Sequence, residues 1–393
     1  MSRNTDEFFK EKKDWSRIKD QILGCYLKPY FSKIKYTKKP IVYVDGFAGK
    51  GKFDDNTDGS PLIAYSIGQE TITNNSIEYI LIENKYSQDL QKNVEKFNNC
   101  KVINGNYEEN IENVIASLSD KNVFLYIDPF GIKNIRYKYL KSMNSNNLYS
   151  AEFLMNLNSF GFVREGCRLM DTTLEKIEDD YEKNVDYEED KTKNTIENMN
   201  HIAGGEYWQT IIKQLKLGAI TGFEAEKEFA NKYCDMVRKE CNFKYVINIP
   251  IRIKSGTPPK YRLIFGTNHI DAIILMNDNM CNRFEEMKNI QNGGCLTLFM
   301  EDSENEIISE KIIQENIYSM IDYKYMNYYD LFIRYIEKYG ITKTKIINSC
   351  LKQMEELDKI EIIREPNYTP KGKKSKFIMP DKDKKVYIKR CGS

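Results

Sequence analysis

An apolar run that ends in an acid and a glycine-rich turn constrains this chain more than any other feature. Residues 41–51 read Ile-Val-Tyr-Val-Asp-Gly-Phe-Ala-Gly-Lys-Gly. The run up to Asp45 predicts a buried strand of a parallel sheet, because strands covered on both faces are apolar almost throughout. The glycines leave no Cβ in the way of a ligand, so backbone N–H groups of the turn can face it. The spacing fits neither the phosphate-loop pattern nor the dinucleotide fingerprint.

Further apolar segments repeat the pattern of a strand that ends in a polar residue. They are residues 79–83 with Glu83, 101–106 with Asn106, 124–131 with Asp128, and 151–158 with Asn156 and Asn158. Helices predicted at 86–97 and 107–117 complete the alternation of a doubly wound α/β sheet. Ligands of such sheets bind at the carboxyl ends of the strands, so we expect Glu83 to accept hydrogen bonds from ribose hydroxyls and Asn106 to pair with an adenine edge. An ordinary α/β domain whose strands stop at acids for solubility is the alternative.

Several motifs carry a resemblance to known families. The turn from Asp45 to Gly51 is similar to the first motif of S-adenosylmethionine-dependent methyltransferases, especially those that act on nucleic acid. Over residues 10–300 the chain resembles the three-Cys-motif partner protein family, which is methyltransferase-like and named after a gene neighbour. The matching residues are Trp15, Lys19, residues 59–64, Asp128-Pro129-Phe130-Gly131, residues 261–269 and Met276-Asn277. The resemblance implies a Rossmann-like class I methyltransferase sheet, S-adenosylmethionine as cofactor and a three-Cys-motif protein as candidate partner, but no substrate.

The predicted cofactor site gathers residues from the ends of the first four strands. They are Asp45, Gly46, Phe47, Ala48, Gly49, Gly51, Glu83, Asn84, Asn106 and Asp128. Asp45 either orients cofactor contacts or caps the turn that follows it. Trp15 and Lys19, four residues apart on a predicted helix, either cover the cofactor or pack as a core tryptophan beside a snorkelling lysine.

The run Asp128-Pro129-Phe130 is the candidate catalytic motif. It resembles the motif of exocyclic amine methyltransferases, in which an Asp, Asn or Ser and a proline carbonyl accept the amine hydrogens while an aromatic ring stacks on the base. That motif has a second proline, which this chain lacks. An oxygen acceptor, a small molecule or a residue of a partner protein therefore stays open. Pyrimidine carbon methylation is not predicted, because that reaction needs an attacking cysteine after proline and no Pro-Cys dipeptide occurs.

The sequence predicts two domains and a connector. Residues 1–300 form the methyltransferase-like domain, with a helical insertion at about 165–240 whose charged stretch, 171–200, suggests an exposed helix or a lid. Residues 245–251 and 261–267 are expected to close the sheet as an antiparallel pair. Residues 301–324 are the connector, and residues 325–393 form the second domain.

The C-terminal domain resembles a winged helix-turn-helix. Its pattern predicts a helix over 329–337 that ends near Gly340, a helix capped by Thr342 that runs through Leu357, and two strands, 360–364 and 375–379, around a turn. From Leu331 to Ser393 there are 16 Lys and Arg against 8 Asp and Glu. We expect Lys371, Lys373, Lys374 and Lys376 to line the wing and meet nucleic-acid phosphates. A protein-docking module is the alternative.

The composition indicates the cellular compartment of the protein and argues against one kind of metal site. No run of 18 apolar residues and no N-terminal apolar stretch occurs, and the nine cysteines form no C-x-x-C pair, so we expect a cytoplasmic protein with reduced thiols and no membrane contact. With only two histidines, a histidine-rich metal site is not expected.

Together these patterns predict an S-adenosylmethionine-dependent methyltransferase that acts on a nucleic-acid base amine or on a nucleic-acid-associated partner. The alternative is a non-catalytic component of a multi-protein system that keeps the cofactor pocket as a sensor or scaffold.

Overall fold

The computed structural model describes residues 12, 14–72, 76–132, 135–172, 194–251, 259, 261–291 and 309–391. Most of the charged stretch predicted at 171–200, namely 173–193, lies outside these residues. Within the described ranges, no helix is long and apolar enough to cross a membrane.

A seven-stranded sheet forms the centre of the molecule, with the strand order β3-β2-β1-β4-β5-β7-β6. The strands are β1 (Ile41–Asp45), β2 (Ile77–Glu83), β3 (Cys100–Asn104), β4 (Asn122–Ile127), β5 (Ser150–Leu157), β6 (Tyr245–Ile251) and β7 (Tyr261–Thr267). β1 to β5 pair in parallel, whereas β7 runs antiparallel to both β5 and β6. This confirms the predicted α/β class with a mostly parallel sheet, and the arrangement fits a Rossmann-like methyltransferase. The order reverses between β1 and β4, and ligands of open α/β sheets bind at the carboxyl side of such a switch point.

Helices cover both faces of the sheet. In chain order they are α1 (Asp14–Ile34), α2 (Ser60–Thr71), α3 (Ser87–Asn93), α4 (Tyr107–Ala116), α5 (Tyr137–Ser145), α6 (Ser159–Leu169), α7 (Ile196–Ala203), α8 (Tyr207–Lys216), α9 (Gly222–Glu240) and α10 (Ile270–Gln291). Buried side chains of α1, α2, α3 and α10 pack with one face, and those of α4 to α9 pack with the other. Because strand residues alternate between faces, Asp45 shares the α1 face with Tyr43, and Asp128 follows Tyr126 on the same face.

The C-terminal residues form a smaller unit of helices and a three-stranded sheet. Its elements are α11 (Glu310–Met320), β8 (Met326–Asn327), α12 (Tyr328–Tyr339), α13 (Thr344–Glu356), β9 (Ile360–Glu365) and β10 (Lys385–Arg390). β10 lies between β8 and β9 and is antiparallel to both. Buried apolar side chains continue from the α1 face of the large sheet into this unit. The helix α11 occupies much of the segment taken as a connector, and the proposed domain boundaries stay a prediction.

Two details of the predicted C-terminal unit are wrong. Residues 375–379 are not a strand, and the strand that pairs with β9 from Ile360 to Glu365 is β10, further along the chain. Thr342 does not cap α13, which begins after Lys343 without a side-chain cap. The end of α12 at Gly340 is confirmed, and this glycine has a φ of 89°.

Candidate active site at the carboxyl edge of the sheet

The glycine-rich turn after β1 is tied to the strands on both sides of it. Gly46 N donates to Tyr126 O of β4 at 2.9 Å, and Ala48 N donates to Ile82 O of β2 at 3.1 Å. These bonds fix the turn across the switch point between β1 and β4, so its backbone is held where the sequence places the cofactor.

Two of its glycines are also required by packing inside the protein. A Cβ on Gly46 would lie 2.7 Å from the Tyr107 ring, and one on Gly51 would lie 2.9 Å from Leu90 Cδ1. Gly49 and Gly51 adopt φ values of 59° and 76°, in the left-handed region that favours glycine. A glycine-rich sequence here is therefore explained in part by the fold, independently of any ligand.

Glu83 joins the end of β2 to the turn. Its Oε2 accepts from Gly49 N at 2.8 Å, while Oε1 accepts from Lys85 N at 2.9 Å and from Tyr86 N at 3.0 Å. A carboxylate offers about four acceptor positions. Glu83 thus orients the turn, and the ribose contact expected of it stays a prediction.

Asn84 and Asn106 come together beside Glu83. Asn84 Nδ2 donates to Asn106 Oδ1 at 2.9 Å, and Asn106 Nδ2 donates to Glu109 Oε1 at 3.2 Å. Both asparagines are exposed. The structure therefore brings the predicted adenine-side residues together at the surface of the carboxyl edge, next to Phe47, whose ring packs on Tyr107.

Asp45 is a fully buried carboxyl group at the end of β1. It accepts hydrogen bonds from Ser60 Oγ at 2.6 Å, Phe47 N at 3.1 Å and Tyr43 OH at 3.2 Å. Burial raises the pKa of Asp45 from 3.8 to about 7, more than these hydrogen bonds lower it. The contact with Phe47 N is the turn-capping role that the sequence left open.

Asp128 is held by side chains from two other elements, α1 and β5. Its carboxylate accepts two hydrogen bonds from Lys19 Nζ, at 2.6 and 2.8 Å, and one from Asn156 Nδ2 at 2.7 Å. Lys19 is 4% exposed, and its Nζ also lies 5.2 Å from the centre of the Tyr261 ring. The sequence marked Lys19 as a cover for the cofactor, but neither spacing nor composition pairs it with a carboxylate 109 positions away.

A second buried ion pair lies at the start of α1. Lys12 pairs with Asp20, and Lys12 Nζ donates to Asp58 O at 2.5 Å. Burial raises the pKa of Asp20 from 3.8 to about 6 against the opposing effect of Lys12, and the nearby Asp128 charge contributes to that rise. Sequence reasoning missed Lys12, because no local pattern distinguishes it from its neighbouring lysines. The side chain of Trp15, on the same helix, is outside the described part of the chain.

Two buried polar atoms beside Asp128 have no hydrogen-bond partner within the described part of the molecule. They are Tyr126 OH and Asn156 Oδ1. Burial, together with the charges of Asp128 and Asp20, raises the pKa of Tyr126 well above its usual value, so its hydroxyl is a donor. Tyr126 OH and Asn156 Oδ1 are thus a donor and an acceptor beside Asp128 that the described residues leave unpaired.

The remaining residues of the catalytic motif differ in exposure. Pro129 is buried, whereas Phe130 is 52% exposed, and Gly131 follows with a φ of 85°. A half-exposed ring directly after Asp128 is compatible with stacking on a flat acceptor, and the catalytic roles of these residues stay predictions.

Two concave surfaces lie away from this edge. One, of about 620 Å³, is lined by Thr369, Pro370 and the four lysines of the predicted wing: Lys371, Lys373, Lys374 and Lys376. The other, of about 580 Å³, lies beside the start of β6 at the amino edge of the sheet, with Arg238 and Lys244 among its residues. The first brings together all four lysines that the sequence singled out.

Comparisons with known proteins give only distant structural similarity. No family model and no curated protein matches the chain. Among solved structures, the plantazolicin methyltransferase BamL is 14% identical with a TM-score of 0.33, over 67% of this chain and 90% of that one. Spermidine synthase from Thermotoga maritima is 10% identical with a TM-score of 0.33, over 72% and 71%. Loganic acid methyltransferase is 8% identical with a TM-score of 0.26, over 97% and 98%. TM-scores below 0.5 assign no reaction or cofactor to this chain.

Proposed function

We propose that this protein is an S-adenosylmethionine-dependent methyltransferase whose active site is the carboxyl edge of the seven-stranded sheet. The observation that carries the proposal is the convergence of Asp45, Asp128 and Asn156 on one face at the β1–β4 switch point, with Glu83 at the end of the neighbouring β2. Buried polar groups normally find partners, so the unpaired Tyr126 OH and Asn156 Oδ1 favour a polar ligand there.

The turn and the two strand ends beyond it are the proposed cofactor contacts. Asp45, Gly46, Phe47, Ala48, Gly49 and Gly51 would hold the methionine side, and Glu83, Asn84 and Asn106 the nucleoside. S-Adenosylmethionine supplies an electrophilic methyl group on sulfur. Both asparagines have amide groups at the surface, where an adenine edge could exchange hydrogen bonds with them.

The proposed acceptor site is Asp128, the Pro129 carbonyl and the Phe130 ring. The two oxygens would accept N–H groups of an amine, and the ring would stack on the acceptor. This orients the lone pair in line with the methyl group, and positioning of that kind lowers the barrier to transfer. Transfer forms an N–C bond at the acceptor, the electron pair of the broken S–C bond stays on sulfur, and the acceptor proton leaves to water.

The proposed acceptor is a nucleic-acid base amine or a group on a nucleic-acid-associated partner, such as a three-Cys-motif protein. The C-terminal unit supports this choice. Its order of helices and strands is that expected of a winged helix, and its four wing lysines line one concave surface.

A non-catalytic cofactor-binding scaffold is the second candidate, favoured by one contact. Lys19 donates to both oxygens of Asp128, so an acceptor amine must compete with a buried ammonium group for this carboxylate. The missing second proline of the motif points the same way.

Transfer of labelled methyl groups to cell extract tests the proposal. Wild-type protein should label one fraction of nucleic acid or protein, and Asp128→Ala should abolish labelling while cofactor affinity changes by only a few-fold, because the lost contacts act mainly in the transition state. Asp128→Asn, which keeps an acceptor oxygen of a kind that this motif also uses, is the matched control and should retain labelling. Cofactor binding without labelling of any fraction would favour the scaffold.

A further inference from the structure

The connection between β9 and β10 carries a short hairpin at residues 366–376, here called the β9–β10 hairpin. Thr369 N donates to Lys373 O at 2.8 Å, and Gly372 N donates to Thr369 O at 2.9 Å. Gly372 has a φ of 73°. This is the pattern of a three-residue hairpin loop that ends in a left-handed glycine. The loop therefore has a defined shape with Lys371 at its tip.

A buried arginine anchors the root of this hairpin. Arg364 Nη1 and Nη2 donate to the two carboxylate oxygens of Glu355 at 2.6 and 2.5 Å, and Arg364 Nε donates to Phe377 O at 2.7 Å. Ser375 Oγ also donates to Pro366 O at 2.7 Å. Arg364 thus links Phe377, directly after the hairpin, to β9 and α13, and the bond from Ser375 closes the root of the hairpin, so little ordering is left for a ligand to impose.

The positive charge of the C-terminal unit is distributed unevenly between its lysines. On and beside β10, Lys384, Lys385 and Lys389 form ion pairs with Asp381, Glu365 and Glu361. The four hairpin lysines are exposed, and no ion pair to any of them is found within the described part of the chain. Lys345, Lys359 and Lys382 of this unit are also exposed and without an ion pair among the described residues, but the four hairpin lysines lie within six consecutive residues, so the unpaired positive charge is densest on the β9–β10 hairpin.

The start of α13 is covered by α10. Thr344 N and Oγ1 donate to Asp278 Oδ1 at 2.8 and 2.9 Å, and Asn277 Nδ2 donates to Thr342 O at 2.8 Å. Lys343 also pairs with Glu285 at 2.6 Å. Helix-turn-helix proteins read bases with the first residues of the recognition helix. Here those residues face carboxylates of α10, which repel phosphates.

We propose that the C-terminal unit binds duplex nucleic acid through its phosphate backbone alone, with the β9–β10 hairpin as the contact surface and without insertion of α13 into the major groove. This inference rests on the nucleic-acid target in the proposed function. Because phosphate contacts carry no base information, binding is independent of sequence. The hairpin supplies affinity for nucleic acid, and the methyl acceptor is selected at the carboxyl edge of the large sheet.

Titration of labelled duplexes at several KCl concentrations tests this mode of binding. The full-length protein is titrated with two DNA duplexes of unrelated sequence and with an RNA duplex. We expect the two DNA affinities to agree within about threefold, since no base is read. Replacement of Lys371, Lys373, Lys374 and Lys376 by Ala should flatten the plot of log K against log salt by about 2–4 units.

Two control variants separate the hairpin from other surfaces. Replacement of Lys28, Lys33, Lys138 and Lys232, exposed lysines of the other part of the molecule, removes the same charge and should leave the slope unchanged. Lys345→Ala with Ser349→Ala alters the outer surface of α13 and should change the affinity less than about twofold, because no base contact is lost.

Three results would overturn the inference. They are a slope unchanged by the hairpin variant, a larger loss in the α13 variant than in the hairpin variant, and no binding to any duplex. Cofactor binding and methyl transfer do not enter these titrations, so their failure would be seen separately.

Discussion

The carboxyl edge of the large sheet and the β9–β10 hairpin both depend on lysine side chains, but they use them in opposite ways. At the edge, Lys19 is 4% exposed and donates to both oxygens of Asp128. On the hairpin, Lys371 and Lys374 are exposed, and no ion pair to either is found within the described chain. One region fixes single charges in a buried network, and the other presents several charges to solvent.

The two regions should therefore respond to different solution conditions. Charges away from water interact strongly, so each edge residue should have a large effect of its own and should respond to pH. Exposed charges are screened by salt over about 8–10 Å, so the hairpin lysines should act together and respond to ionic strength.

The largest expected effect is the loss of stability on removal of Lys19. Lys19→Met keeps much of the side-chain volume but leaves Asp128 without its cation. We expect the free energy of unfolding to fall by about 2–4 kcal/mol, towards the lower end because Asp128 is partly exposed. Urea unfolding measures this change.

Lys374→Ala on the hairpin is the matched control and should leave the free energy of unfolding unchanged. Equal losses in the two variants would show that the edge and the hairpin do not differ as described. A Lys19→Met protein with the wild-type free energy of unfolding would show that Lys19 does not hold Asp128 in solution.

A smaller effect on stability is expected from the ionisation of Asp45 as the pH rises. Its pKa is about 7 in the folded protein against an ordinary value of 3.8, so the folded state binds this proton more tightly than the unfolded state. Its contribution to stability is complete below pH 3.8 and is lost as the pH rises to about 7. Wild-type protein should therefore lose more stability than Asp45→Asn over this interval, as measured by urea unfolding at successive pH values.

Asp89→Asn, which changes an exposed aspartate on α3, is the control and should retain the wild-type pH dependence. Parallel curves for wild-type protein and Asp45→Asn would mean that burial does not hold the Asp45 proton.

Most of the large sheet could be predicted from the sequence because its strands are continuous apolar runs with clear ends. β6 and β7 have the predicted bounds, and β1 begins and ends where its run does. The strand that pairs with β9 was harder to predict, because residues 375–379 and the true strand β10 both contain apolar residues near lysines. Only pairing with β9 distinguishes them.

The site was predictable at strand ends and obscure elsewhere. Asp45 and Glu83 are the last residues of their strands and Asp128 directly follows one, so topology alone places them at one edge. The ion pairs of Lys12 and Lys19 depend on how α1 crosses the sheet, which no local pattern encodes. Likewise, Thr344 N donates to Asp278, a residue 66 positions away in the chain. This contact lies at the start of α13, where the sequence had predicted a cap by Thr342.

Calorimetric titration of the folded wild-type protein with S-adenosylmethionine, at two temperatures, tests the central claim most directly. One site of micromolar affinity is expected. Glu83→Gln should weaken it by about tenfold or more, because hydrogen bonds to a charged group contribute about 1.5–3 kcal/mol. Absence of heat at both temperatures, with S-adenosylmethionine and with its demethylated product, would contradict the assignment of the carboxyl edge as a cofactor site.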